Sequence, residues 1–115
     1  MNEFAQQHCS VITGATPQLN VRDINQYLST LPDWEIYEEE GEARLEKIFK
    51  FKDFIQAIAF TNKVAQVANE EDHHPAILTE WGKVTVTWWT HRIKGLHQND
   101  FIMAAKTDQL YEGTV

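Results

Sequence analysis

Between Asp53 and Glu71 no residue interrupts a helical pattern, and the run then meets Asp72-His73-His74-Pro75. Phe54, Ile58 and Ala65, with Phe60, Val64 and Ala68, recur at three- and four-residue steps, the spacing that lines up one face of an α-helix. Asp53 stands where an N-cap belongs. A helix this apolar cannot lie at a surface alone, so the rest of the chain must supply a sheet for it to cross. Pro75 ends it, because a proline disfavours the helical region for the residue before it. The two histidines therefore fall where a helix stops and a new segment starts, free to face a cleft.

The sheet is legible on both sides of that helix. Upstream, Asn20 with Asp23 resembles an N-cap, and Ile24, Tyr27, Leu28 and Leu31 follow at helical spacing until Pro32. Trp34 and Ile36 alternate with Glu35 and Tyr37 as in a half-buried strand. Glu39-Glu40-Gly41-Glu42 turns the chain into a second strand from about Ala43 to Phe51, with Leu45, Phe49 and Phe51 on one face. Ile48 breaks that alternation, which implies that part of the other face is covered too. Downstream, Ile77 to Trp81 is a short strand and Gly82-Lys83 a turn. Val84, Val86 and Trp88 then alternate with Thr85, Thr87 and Trp89 in another strand. Continued to His91, the alternation puts that imidazole with the threonines and Trp89. A last helix carries Asp100 in its first turn and Phe101, Ile102, Ala105 and Leu110 on its apolar side. The expected order is α-β-β-α-β-β-α, a single α+β domain whose four-stranded antiparallel sheet has its helices packed on one face. Residues 1–17 show no period and read as a flexible N-terminal arm, with the domain over 18–112.

Composition narrows the function classes. At 115 residues the chain is one domain, and 43% hydrophobic with 23% charged residues is globular rather than disordered. A net charge of −7, with Lys47, Lys50 and Lys52 spread among apolar residues, offers no nucleic-acid surface. No apolar run is long enough for a membrane span, no signal peptide is visible, and the single cysteine, Cys9, cannot pair within the chain. A cytoplasmic protein is the expectation.

His73, His74, His91 and Asp100 fall within about thirty residues. Imidazole has the ordinary pKa nearest neutrality, so a site that both gives and takes protons there tends to use it. The plainer reading of His73-His74 is a pair of helix C-terminal residues favoured by the helix dipole. His91 and Asp100, in a segment that can fold back on the helix end, weigh against it. A zinc or iron site needs ligands that converge. Adjacent histidines on regular structure diverge, and no His-x-x-x-His or Cys-x-x-Cys spacing occurs, so no metal is expected. Trp88 reads as core, while Trp81 and Trp89 could stack on a flat ligand or serve an interface. Asp100 alone would be a first-turn carboxylate stabilising its own helix, and Glu38-Glu39-Glu40 a solvated hairpin tip. Cys9 and Ser10 lie in the arm, so no nucleophile arrangement is supported, and there is no glycine-rich phosphate loop. The residues by themselves point to a general acid/base site of histidines and name no substrate.

The run Asp72-His73-His74-Pro75, the aromatic Trp81, His91, and Gly95-Leu96 leading to Asp100 resemble the signature of the pterin-4a-carbinolamine dehydratases. Leu45-Glu46-Lys47-Ile48-Phe49 and Phe51-Lys52-Asp53-Phe54 resemble that family's second strand and helix start, and the likeness runs from about Leu19 to Leu110. One position departs: where the family often has an acidic residue four before the first histidine, this chain has Asn69, with Glu70 adjacent. The resemblance implies a hydro-lyase that removes water from 4a-hydroxytetrahydropterin to give quinonoid dihydropterin. That reaction recycles the cofactor of aromatic amino-acid hydroxylases, with no metal or cofactor of the lyase's own. It implies that His73 and His91 exchange protons with substrate, that His74 positions the pterin and that Asp100 orients a histidine. Pro75, Trp81, Thr90, Arg92 and Ile93 would join the histidines in lining the ring. A homotetramer or homodimer is implied as well. Vertebrate members also bind a homeodomain transcription factor as a dimerisation cofactor, so the alternative is a protein-binding module on the same fold.

Overall fold

The expected elements form in the expected order. The computed structural model describes residues 3–113: α1 spans Val21–Leu28, β1 Glu35–Glu39, β2 Glu42–Lys50 and α2 Phe54–Glu71. β3 spans Ala76–Glu80, β4 Lys83–Trp88 and α3 Gln98–Glu112, with short 3-10 turns at Glu3–Gln6 and His91–Ile93. Met1 and Asn2 of the expected arm lie outside the described residues.

The helix ends follow from local chemistry. Asn20 Oδ1 accepts from the Asp23 amide at 2.8 Å and Asp53 Oδ1 from the Gln56 amide at 2.9 Å, each satisfying a donor that a helix start leaves free. α1 stops at Leu28, short of Leu31, because Pro32 disfavours a helical Leu31. Leu31 is buried all the same, in the turn that follows. Glu40 and Gly41 both take positive φ, 55° and 76°, which is what a two-residue hairpin turn needs to match strand twist. α2 ends where Asp72 enters the left-handed region at φ 51°, and both the Asp72 and His73 amides turn back to the Ala68 carbonyl.

The strands pair antiparallel in the order β1-β2-β4-β3. Leu45 lies opposite Ile36 on one side and Trp88 on the other, Phe49 opposite Val84, and Val86 opposite Ile77. Side chains alternate along a strand, so these residues share one face, and α2 and α3 both pack on it. Phe49 meets Phe60 at 5.0 Å, Tyr111 at 5.1 Å and Trp34 at 5.9 Å between ring centroids. Burying an aromatic of this size contributes roughly 1.5–3 kcal/mol. On the opposite face Ile48 and Leu78 flank Thr85 and are 48% and 58% exposed. That face is covered in part, as Ile48 led us to expect: Thr87 and Glu42 on it are 5% and 6% exposed, while Ile48 itself stays open.

The segment read as a flexible arm is packed at its start, around Phe4 and Ala5, while Val11 further along is 89% exposed. α3 is buried at every residue from Asn99 to Ala105, more than one apolar face can account for. The Glu3–Gln6 turn lies against α3. Ala5 is buried there, and Phe4 meets Tyr27 at 5.0 Å and Phe101 at 6.4 Å. Among the described residues no helix is long and apolar enough to cross a membrane.

Candidate active site

The left-handed turn at Asp72 sends His73 inward and leaves His74 exposed. His73 Nε2 lies 2.7 Å from Asp100 Oδ1, and its ring stacks on the buried Trp88 at 6.0 Å and 9°. Asp100 is fully buried. Its second oxygen accepts from the Thr90 hydroxyl at 2.8 Å and from the His97 amide at 2.9 Å. With Asp100 ionised, His73 Nε2 carries the shared proton and Nδ1 is left for other chemistry. His74 Nε2 sits 2.9 Å from Asn69 Oδ1. The position that departs from the family thus supplies a neutral acceptor to the second histidine.

His91 reaches the site by a different route from the one the alternation suggested. β4 ends at Trp88. Thr90 and Gly95 then form a two-way bridge, N–H to O at 2.9 and 3.4 Å, and the His91–Ile93 turn is held inside it. The backbone curls there, so strand periodicity says nothing about where His91 points. Its Nδ1 lies 3.4 Å from Glu42 Oε1. The Glu42 side chain is 8% exposed while that of His91 is 80% exposed.

His73, His74 and His91 line one cleft of about 250 Å³, with Trp89, Thr90 and Arg92 beside them. Ile12, from the N-terminal segment, completes the wall. The Arg44 guanidinium lies 4.0 Å from the centre of the Trp89 ring, a cation–π contact worth about 0.5–2 kcal/mol. Trp89 Nε1 and Arg44 Nε are buried without a hydrogen-bond partner among the described residues. A larger cleft of about 450 Å³ lies between Ala5, Leu31 and α3. Its Asp108 is already committed to Trp34 Nε1 at 3.0 Å and Lys47 Nζ at 2.8 Å, and no histidine faces it. Chemistry rather than volume picks out the smaller cleft.

Three expected site residues lie elsewhere. Trp81 is 71% exposed at the β3–β4 turn and borders a separate cleft with Lys50, Glu80 and Lys83. At about 3.3 Å per residue, β4 holds it roughly 20 Å from the Thr90 end of that strand. Ile93 is 8% exposed and turned inward, offering only its carbonyl, which Gln18 Nε2 bonds at 2.8 Å. Pro75 is half-buried and shapes the chain behind His74 without lining the cleft. Glu42 and Ile12 were not foreseen. Glu42 alternates with Arg44 and Glu46 in the strand, and nothing local distinguishes it.

Burial, then Glu71 and Asp100, push the Cys9 thiol up to about 12, which leaves it protonated and inert as a nucleophile. Burial also holds His97 below its ordinary value despite the pull of Asp100. Its neutral Nδ1 accepts from the Asn99 amide at 3.0 Å, capping α3. Among the described residues no three His, Cys, Asp or Glu side chains converge as a metal ligand set.

A sequence model of the family described as pterin 4 alpha carbinolamine dehydratase matches residues 17–110. The chain belongs to that family. A relative from Marinobacter nauticus, provisionally named pterin-4-alpha-carbinolamine dehydratase, is 54% identical over 111 residues, 96% of this chain and 100% of the relative. One from Saccharophagus degradans, under the same provisional name, is 53% identical over 113 residues, 98% of this chain and 100% of its own length. A crystal structure from Brucella melitensis, described as a transcriptional coactivator/pterin dehydratase, superposes with a TM-score of 0.73 at 32% identity. It covers 81% of this chain and 97% of that one. A pterin dehydratase-like protein described as a RuBisCO assembly factor in the alpha-carboxysome shares the fold, with a TM-score of 0.58 at 24% identity over 69% of this chain and 89% of that one. Membership in the dehydratase family supports a dehydratase function.

Proposed function

We propose that this dehydratase removes water from 4a-hydroxytetrahydropterin, with His73 and His91 as the general acid/base pair. The observation that supports it is one cleft holding both imidazoles, each with a carboxylate at one ring nitrogen and the other nitrogen left to work. The C4a–O bond breaks, and the leaving hydroxyl takes a proton from one imidazole to depart as water. N5–H gives its proton to the other, and the electron pair forms the N5=C4a bond of the quinonoid dihydropterin. Nothing is oxidised, so no redox cofactor is needed, and the two imidazoles supply both proton transfers. His74, held by Asn69, positions the ring. Asp100 orients His73, Glu42 orients His91, and Thr90 and Arg92 form walls. The product, once reduced, would return to an aromatic amino-acid hydroxylase.

We also propose that copies of the chain associate as a homotetramer or homodimer. β3 is an edge strand, an open template for pairing, and Leu78 within it and Trp81 just past its end are exposed.

The test follows dehydration of a synthetic carbinolamine by absorbance, with EDTA present. Acceleration well above the spontaneous rate is expected. No acceleration by folded protein would overturn the reading, and metal-dependent activity would overturn its metal-free part.

A further inference from the structure

We propose that the segment from His8 to Ile12 is the specificity wall of the cleft, and that Ile12 selects among substituents carried by the pterin ring. This rests on the dehydratase reading above and answers what that reading leaves open, namely which substrates are preferred.

The segment is hooked to three residues, each close in sequence to a site residue. Glu71, the last residue of α2, accepts from the Cys9 amide at 2.8 Å and lies 2.7 Å from His8 Nδ1. Asn99, 1% exposed and next to Asp100, exchanges a reciprocal pair with Ser10: amide to Oδ1 at 2.9 Å, and Nδ2 to carbonyl at 2.9 Å. Arg92, next to His91, donates from Nη1 to the Ile12 carbonyl at 3.3 Å. A buried amide that satisfies both groups of one backbone residue holds it much as a sheet rung would. The wall is therefore tied to the same helix end, helix start and turn that present His73, Asp100 and His91.

Ile12 is half-buried and, among the described residues, is the one purely aliphatic side chain lining the cleft. As a β-branched residue it holds few rotamers, so it offers a fixed surface that can neither donate nor accept a hydrogen bond. The reaction requires C4a and N5 to lie at the imidazoles. C6 is bonded to N5, so a substituent there leaves the ring beside the histidines and meets the cleft wall. A methyl group suits an aliphatic wall. A hydroxylated chain is longer, and against Ile12 it gives up water without a partner.

The experiment compares kcat/KM for two carbinolamines, one with methyl and one with dihydroxypropyl at C6, in wild type, Ile12→Ala and Ile12→Phe. Amide hydrogen exchange at Cys9 and Ser10 reports docking of the segment in each protein. Ile12→Ala should raise the dihydroxypropyl-to-methyl ratio on the order of tenfold, the usual worth of a methylene or two in a pocket, and Ile12→Phe should lower it by a similar factor. A ratio that moves by less than about twofold in both variants, with the amides still protected, would overturn the proposal while leaving the dehydratase reading intact. Rapid exchange at both amides in wild type would overturn it as well, because an undocked segment is no wall. Inactivity of wild type on both compounds would fail the dehydratase reading and this proposal with it.

Discussion

Asp100 Oδ1 lies 2.7 Å from His73 Nε2, with the carboxylate fully buried and the histidine side chain 9% exposed. His91 and Glu42 are a looser counterpart at 3.4 Å, with the imidazole largely in solvent. A buried contact is barely screened and an exposed one is strongly screened. The two carboxylates should therefore matter unequally, although both touch a histidine of one cleft.

Asp100→Asn keeps the shape but cannot accept from His73, Thr90 and the His97 amide together. Leaving one buried donor unpaired should cost about 1–3 kcal/mol in urea denaturation, and kcat should fall on the order of 10². Unchanged stability and unchanged kcat would show that the contact orders nothing.

Glu42→Gln keeps an acceptor near His91 and removes the charge. Its effect should be smaller, a loss of about three- to tenfold in kcat, because the imidazole it supports is exposed. A loss larger than that of Asp100→Asn would reverse the ranking argued above.

His73→Ala and His91→Ala should each lower kcat on the order of 10²–10⁴, the usual worth of a positioned acid or base. His74→Ala should mainly raise KM, since positioning is shared by substrate and transition state. The double variant of His73 and His91 should lose less than the product of the single losses. Near-normal kcat in both folded single variants would rule out the acid/base assignment.

Stability should fall as pH drops below the ordinary histidine value of 6.5, because burial lowers the folded pKa of His97. The unfolded chain then binds more protons than the folded one, so stability is present above 6.5 and is lost as pH falls towards the folded value. Protonation also removes the Nδ1 acceptor that caps α3. Glu71 acts in a lower window. Burial alone would raise its carboxyl, but the Cys9 amide, His8 and Lys106 outweigh that and hold it below 4.5, so its contribution is lost only under more acid conditions. Denaturation midpoints between pH 7 and pH 5 should slope in wild type and flatten in His97→Ser, which keeps a capping oxygen. An equal slope in both proteins would assign the effect elsewhere.

Light scattering at micromolar concentration should report a symmetric oligomer, a tetramer or else a dimer. Leu78→Lys, which places a charge on the edge strand, should shift the population towards monomer. A monomeric wild type would leave the exposed Ile48, Leu78 and Trp81 without the partner proposed for them.

What the sequence determined by itself is whatever depends on neighbours along the chain. Asp53 and Asn20 cap helices because an acceptor three residues before an amide can reach it. Val84, Val86 and Trp88 turn to one side because a strand has period two. Pro75 and the left-handed Asp72 release His73 and His74 from α2. The run from Phe101 to Ala105 also carried a signal that was missed, since a helix apolar all round needs cover on its outer side. The N-terminal segment provides it.

Only the tertiary structure decided which residues meet. Asp100 reaches His73 across 27 positions, Glu42 reaches His91 across 49 and Arg92 reaches Ile12 across 80. The strand order β1-β2-β4-β3 puts β4 beside β2, which brings Glu42 to the end of the strand that leads to His91. The same hairpin geometry carries Trp81 away from the histidines. Such contacts depend on packing of the whole sheet and helix layer, and a loop's closing entropy grows so slowly with length that local sequence sets no preference among distant partners. The kinds of groups the site uses were thus written locally, whereas their pairing and the wall that encloses them exist only once the chain has folded.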